Sequence, residues 1–247
     1  MDNSLLAMAV PSMLLVPAMG LLSLVNSSRG IGKELRRKAL HVAVGLTALS
    51  FPLYLSTPWM VCTAVGAAIG WMIAVRQLPS LRRRFGACLH DTRRISYGEI
   101  YFAMAIGALL LLTVNRPLLY VIPLLILTLA DAAAAIVGRL FPAVPLKGIA
   151  TGKTMSGCTA FLTVAVIVTH LTLLAFTNMS FPGAASIALV VGSVTCFVEA
   201  VSKRGLDNIF VPVAAYVVLV LFDIPQTAGN ASVAHLFRDL SALVMGA

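Results

Sequence analysis

Leu118–Val137 reads LLYVIPLLILTLADAAAAIV, an apolar run whose only charge is Asp131. About 20 consecutive apolar residues is the length needed to cross the roughly 30 Å hydrocarbon core of a bilayer as a helix. The run therefore decides the fold class: an all-α membrane protein. It also marks where chemistry lies. A carboxylate inside a membrane helix costs roughly 2.5–3.5 kcal/mol on insertion scales, so it usually has a polar partner or a polar task.

The rest of the chain agrees with that reading. The 247 residues are 60% hydrophobic and 11% charged, with a mean hydropathy of +0.97, more apolar surface than a soluble domain of this size could hide. Its apolar runs are continuous rather than alternating, which favours helices over a β-barrel. Cys62, Cys88, Cys158 and Cys196 are scattered without CxxC spacing and read as small core residues rather than a metal or disulfide set. The first 25 residues carry Asp2 and no basic residue before the apolar stretch, so they read as a membrane helix rather than a signal peptide.

Eight apolar segments follow from this pattern: Ser4–Val25, Ala39–Leu55, Trp59–Val75, Ile100–Val114, Leu118–Val137, Gly157–Phe176, Ala184–Ala200 and Ile209–Phe222. The expectation is a bundle of about eight transmembrane helices, with seven to nine allowed, forming a single integral membrane domain over residues 1–247. All of the 18 Lys and Arg except Arg116 and Arg238 fall in alternate connections. The positive-inside rule then places those connections in the cytoplasm and both termini outside, in the plasma or inner membrane if the source is bacterial. The net charge of +9 is explained by orientation and anionic headgroups. Nucleic-acid binding is a poor reading, because the basic residues are juxtamembrane. The tail, residues 223–247, places Val233, Leu236, Phe237, Leu240, Leu243 and Val244 at helical spacing, which suits an amphipathic helix at the outer interface.

Four constellations could carry chemistry. Glu34, Arg37, Lys38 and His41 enter the second segment, with Glu34, Lys38 and His41 on one helical face. Arg and Lys at a helix mouth are also ordinary orientation signals. Arg93, Arg94, Tyr97, Glu99, Tyr101 and Phe102 open the fourth segment and read equally as a charged, aromatic interface belt. Asp131, Ala134, Ala135 and Gly138 put a carboxylate on a face of small residues, suited to close helix packing or to close approach of a ligand. Beyond them, Arg139, Lys147, Gly148 and Gly152-Lys153-Thr154 offer cations, free backbone N–H groups and a hydroxyl, which suit phosphate. This is not a P-loop, since Lys147 stands where that motif needs glycine. Finally Glu199, Lys203, Arg204, Asp207 and Asn208 crowd one short connection ending at Pro212. Asp131, Glu199 and Asp207 are oxygen donors of the kind Mg²⁺ prefers, while Arg37, Lys38 and Lys153 can neutralise phosphate.

In these residues the chain resembles the CTP-dependent lipid-alcohol kinases, meaning dolichol kinase, phytol kinase and yeast-type diacylglycerol kinase. It is distantly similar to phosphatidate cytidylyltransferases. The likeness runs from about Lys33 to Pro212. It rests on Arg37-Lys38-Ala39-Leu40-His41, on Asp131, Ala134 and Gly138, on Lys153, Thr154 and Gly157, and on Glu199, Gly205, Asp207, Asn208 and Pro212. The chain departs from the family where Ser156 replaces the glutamate of its Lys-Thr-x-Glu-Gly element, and where Gly152 and Pro142 replace a lysine and a glycine. At Ser156 the alternatives are altered chemistry, a substitute such as Glu199, or a catalytically silent member.

The resemblance implies transfer of the CTP γ-phosphate to the hydroxyl of a membrane lipid alcohol, of the polyprenol, phytol or diacylglycerol class, at the cytoplasmic face. Asp131, Glu199 and Asp207 are the implied catalytic residues, with Asp131 and Asp207 as Mg²⁺ ligands. Arg37, Lys38, His41, Gly138, Lys147, Gly152, Lys153, Thr154, Gly157 and Asn208 are the implied nucleotide- and phosphate-binding residues. Two other readings stay open. One is a cytidylyltransferase forming a CDP-lipid. The other is a non-enzymatic transporter, which predicts midplane carboxylates and an inverted repeat.

Overall fold

The computed structural model describes residues 30–55, 57–81, 97–114, 116–141, 145 and 153–224. Within them the chain is helical, and the one β-bridge, between Pro145 and Thr154, is isolated. The helices are α1 (Gly30–Ala48), α2 (Pro58–Gln77), α3 (Gly98–Leu112), α4 (Pro117–Leu140), α5 (Met155–Phe176), α6 (Phe181–Val201) and α7 (Asp207–Leu221). Helices α2 to α7 each match one of the apolar segments expected from the sequence, whereas α1 begins well before the expected Ala39–Leu55 and ends at Ala48, short of its C-terminal part. The segment Ser4–Val25 and the tail from residue 225 lie outside the described residues.

Among the described residues, α2, α4, α5 and α6 are long and apolar enough to cross a membrane, while α3 and α7 are apolar but shorter. The chain is thus a helical membrane protein with four candidate spans, and the expected count of about eight is not reached on these criteria. The shortfall has a physical source: α3 and α7 have 15 residues each, below the usual spanning length. The 19-residue α1 begins with a charged turn that lowers its hydropathy.

The centre of the bundle is α4. Of its most apolar stretch 56% is buried inside the protein, against 17% for α2 and 28% for α5, so α4 faces helices where the others face the surroundings. Leu118, Leu119, Ile122, Ile126 and Ala130 pack against α5, α6 and α7. Tyr120, Val121, Leu124 and Leu127 pack toward α1, α2 and α3. A helix apolar all round is the form such a two-sided position requires.

Helix α4 is not uniform. Pro117 starts it, where a missing N–H costs nothing, but Pro123 sits inside and removes a helical hydrogen bond. Just beyond, Ile126–Ala130 widens into a π-helical turn, and Asp131 is the first residue after it. Such turns recur at functional sites because they re-aim the side chains that follow.

The helix ends are capped locally. Thr154 and Ser180 accept from the backbone N–H groups of Gly157 and Gly183 at the heads of α5 and α6. Between α6 and α7 the chain reverses within a few residues, and Arg204 and Gly205 take positive φ values of 57° and 86°. Glycine tolerates that conformation at no steric cost. The tightness of this turn sets Asp207 close to Glu199.

Candidate active site

Three helices each contribute one carboxylate to a common point. An oxygen from Asp131 of α4, one from Glu199 of α6 and one from Asp207 of α7 all lie within 4.8 Å of one another. Asp131 and Glu199 are 5% and 3% exposed. Like charges gathered so closely and so deeply need cations, and two lysines supply them. Lys38 of α1, itself 6% exposed, donates to Asp131 Oδ2 at 2.5 Å. Lys153, just before α5, donates to Glu199 and lies 3.4 Å from Asp207 Oδ2. Burial pulls the Lys153 ammonium down, but Glu199 and Asp207 outweigh that and hold its pKa above the usual lysine value.

His41 completes the α1 side. Its Nε2 lies 3.0 Å from the Leu127 carbonyl, within the π-helical turn, and 3.5 Å from Asp131 Oδ2. Its ring stacks at 4.1 Å on Phe102. The imidazole thus ties α1 to the irregular part of α4 and braces the carboxylate one turn on. Lys38, not Arg37, makes the contact to Asp131; Arg37 lies half-buried one turn before His41.

Gly138 and Gly157 face each other across α4 and α5. A Cβ on Gly138 would come 2.8 Å from Thr154 Oγ1, and one on Gly157 would come 3.0 Å from the Ala134 carbonyl. These glycines allow the two backbones to approach, the close-packing half of the sequence expectation. That approach brings Thr154 and Lys153 alongside α4. Thr154 Oγ1 accepts from Gly157 N and lies 3.1 Å from Ser156 Oγ. Asn208 donates through Nδ2 to the Gly98 carbonyl at 2.8 Å, locking the start of α7 to the start of α3. Lys147 and Gly152 lie outside the described residues.

Two features escaped the sequence reading. Thr128, fully buried one turn before Asp131, has a hydroxyl without a hydrogen-bond partner among the described residues and presses on Gly45 of α1. A polar residue three before a membrane carboxylate was the available signal. Arg76 of α2 bonds Glu99 Oε2 at 3.1 Å and lies 4.5 Å over the Tyr97 ring, joining α2 to α3 at the same end of the bundle. Its charge and aromatic partners were visible, but the pairing was not.

The donor set suits a hard divalent cation. Glu199 Oε2 is buried and has no hydrogen-bond partner among the described residues, and it belongs to the carboxylate trio. An orphaned anionic oxygen costs several kcal/mol unless something cationic meets it.

Among curated proteins, a phytol kinase of Synechocystis sp. is 26% identical over 188 residues, covering 74% of this chain and 76% of the relative. The chain is thus similar to a lipid-alcohol kinase. No family model and no solved structure matches it. The relationship to the lipid-alcohol kinases supports a kinase role in general terms, and it agrees with the apolar helices that make this a membrane protein.

Proposed function

We propose that this protein is a CTP-dependent kinase that phosphorylates the hydroxyl of a membrane lipid alcohol, phytol or a related long-chain alcohol, from the cytoplasmic face. The observation that carries the proposal is the trio of carboxylates from α4, α6 and α7, clamped between Lys38 and Lys153 at one end of an apolar bundle. Phosphoryl transfer asks the protein for positioning and charge more than for covalent chemistry, and this arrangement supplies both.

In the reaction the acceptor hydroxyl oxygen bonds to the γ-phosphorus of CTP. The bond from that phosphorus to the β–γ bridging oxygen breaks, CDP leaves with the electron pair, and the hydroxyl proton passes to a carboxylate. Asp131 is the proposed proton acceptor, held in place by Lys38 and His41. Asp131, Glu199 and Asp207 would hold Mg²⁺, which when bound neutralises charge on the β- and γ-phosphates. Lys153 and Arg37 would bind phosphate oxygens. The raised pKa of Lys153 keeps that ammonium charged at neutral pH. Glu199, reaching Lys153 from α6, offers the acid that Ser156 does not provide beside Thr154.

Basic connections at this end of the bundle favour a cytoplasmic site by the positive-inside rule. The test is incubation of purified protein with phytol, a polyprenol or diacylglycerol and CTP labelled at either the γ- or the α-phosphorus. Transfer of γ-label to the lipid is the expected result. Transfer of α-label with pyrophosphate release would establish a cytidylyltransferase instead. No transfer to any alcohol, from CTP or ATP, would overturn the kinase reading.

A further inference from the structure

Helices α5 and α6 pack against each other, yet they leave an open cavity of about 320 Å³ at the end next to the carboxylates. Its α5 wall is Met155, Cys158 and Leu162, a single stripe at helical spacing. Its α6 wall is the matching stripe of Ser193, Cys196, Phe197 and Ala200. Only Ser193 among these carries a hydroxyl, and the other linings are hydrocarbon or sulfur. Every residue lining it is exposed or half-buried, so it is a shallow groove on the surface of the helix pair.

Its position is more informative than its size. Both walls belong to helices long and apolar enough to span a membrane. Phe197 and Met155, on its rim, are 69% and 49% exposed. Several of its lining residues are close in the chain to the reactive groups. Met155 follows Lys153 and Thr154 directly, Ala200 is the neighbour of Glu199, and Cys196 precedes Glu199 by one turn. Cys196 donates its thiol proton to the Cys158 carbonyl at 3.4 Å, so the floor of the groove is closed by an interhelical bond. From Met155 to Leu162 the stripe rises about 10 Å along α5.

We propose that this groove holds the hydrocarbon chain of the acceptor alcohol, with its hydroxyl end directed at Glu199 and Lys153. The proposal rests on the kinase reading and adds the site at which acceptors are told apart. An apolar groove next to a charged cluster, on helices long and apolar enough to span a membrane, fits a molecule with one polar end and a single chain. A two-chained phospholipid, whose headgroup would have to displace Lys153 from its carboxylates, fits it poorly. Leu162 and Ser193 line the end away from Lys153, and Met155 and Phe197 are the exposed large side chains of its rim.

The test uses the full-length protein in detergent with a phytol analogue carrying a diazirine on its chain. Irradiation should label peptides containing Leu162 and Phe197, and unlabelled phytol should compete while phosphatidylcholine does not. Ser193→Phe, a change at an exposed position, should fill the groove. It should lower labelling and raise KM for phytol about tenfold, the scale of a mismatch of a methylene or more in an apolar pocket, while KM for CTP changes little. Competition by phosphatidylcholine equal to that by phytol, or label confined to other helices, would overturn the proposal. Specific labelling without phosphoryl transfer would leave the groove standing and remove the kinase reading. Transfer with an unchanged KM for phytol in Ser193→Phe would remove the groove alone.

Discussion

Asp131→Asn separates what the central carboxylate does for the fold from what it does for chemistry. The substitution keeps the shape and removes the charge. In the native protein Asp131 is 5% exposed and accepts from the Lys38 ammonium at 2.5 Å. Removing one partner of a buried ion pair costs about 3–5 kcal/mol, because the other charge is stranded. The asparagine amide oxygen can still accept from Lys38, and a hydrogen bond to a charged group is worth about 1.5–3 kcal/mol. The net expectation is a loss of about 1–3 kcal/mol. At about 2–4 °C per kcal/mol for a chain of this size, the melting temperature should fall by roughly 3–10 °C. Lys38→Met in the same background removes the stranded cation and should return most of that stability. Phosphoryl transfer should behave differently. If Asp131 takes the hydroxyl proton, Asp131→Asn should lower kcat by about 10²–10⁴-fold, and the double variant should recover none of it. Melting curves and γ-phosphate transfer measured on the same detergent samples decide the matter. Activity within about threefold of the wild type, well short of a general-base effect, would refute the proposed role. Activity restored by Lys38→Met would show that Asp131 serves only to neutralise that lysine.

Three further outcomes test other parts of the site. Glu199→Gln leaves Lys153 to Asp207 alone and takes one oxygen donor from the trio, so the Mg²⁺ concentration for half-maximal activity should rise about tenfold or more; an unchanged Mg²⁺ titration would remove Glu199 from the cation site. Gly138→Leu drives a side chain into Thr154 and Gly157, and overpacking of this kind costs about 1–3 kcal/mol, seen as a lowered melting temperature with loss of activity. A stable, active variant would show that α4 and α5 do not need their close approach. Thr128→Val removes a buried hydroxyl without a partner among the described residues, so stability should rise or stay level by melting. A clear loss of activity with intact stability would instead make that hydroxyl a ligand-binding group.

Much of this was legible in the linear chain, and the reason is that a bilayer acts on each segment separately. The runs now seen as α2, α4, α5 and α6 were recognisable because insertion cost depends on local composition, not on neighbours. Asp131 stood out for the same reason, as one charge in an apolar helix. The short α3 and α7 were harder to classify, because a 15-residue apolar helix can be a tilted span or a buried packing element.

The partners of each charge were not legible in this way. Lys38 and Asp131 are 93 residues apart, and Lys153 and Glu199 are 46 apart. No periodicity reports which cation meets which carboxylate, and Arg37 was as good a candidate as Lys38 until α1 docked on α4. Gly138 and Gly157 read as phosphate-binding by motif, yet the structure also gives them a close-packing contact that only two facing backbones reveal. The π-helical turn before Asp131 follows Pro123, a visible residue, but its consequence depends on α1 offering His41 to the Leu127 carbonyl. The sequence by itself determined a helical membrane protein with a mixed acid and base cluster at one end, because both properties follow from local cost in lipid. Only the tertiary structure decided that Asp131, Glu199 and Asp207 share one point. Convergence of three helices is set by packing between segments distant in the chain, where small residues, one proline and one tight turn fix the distances.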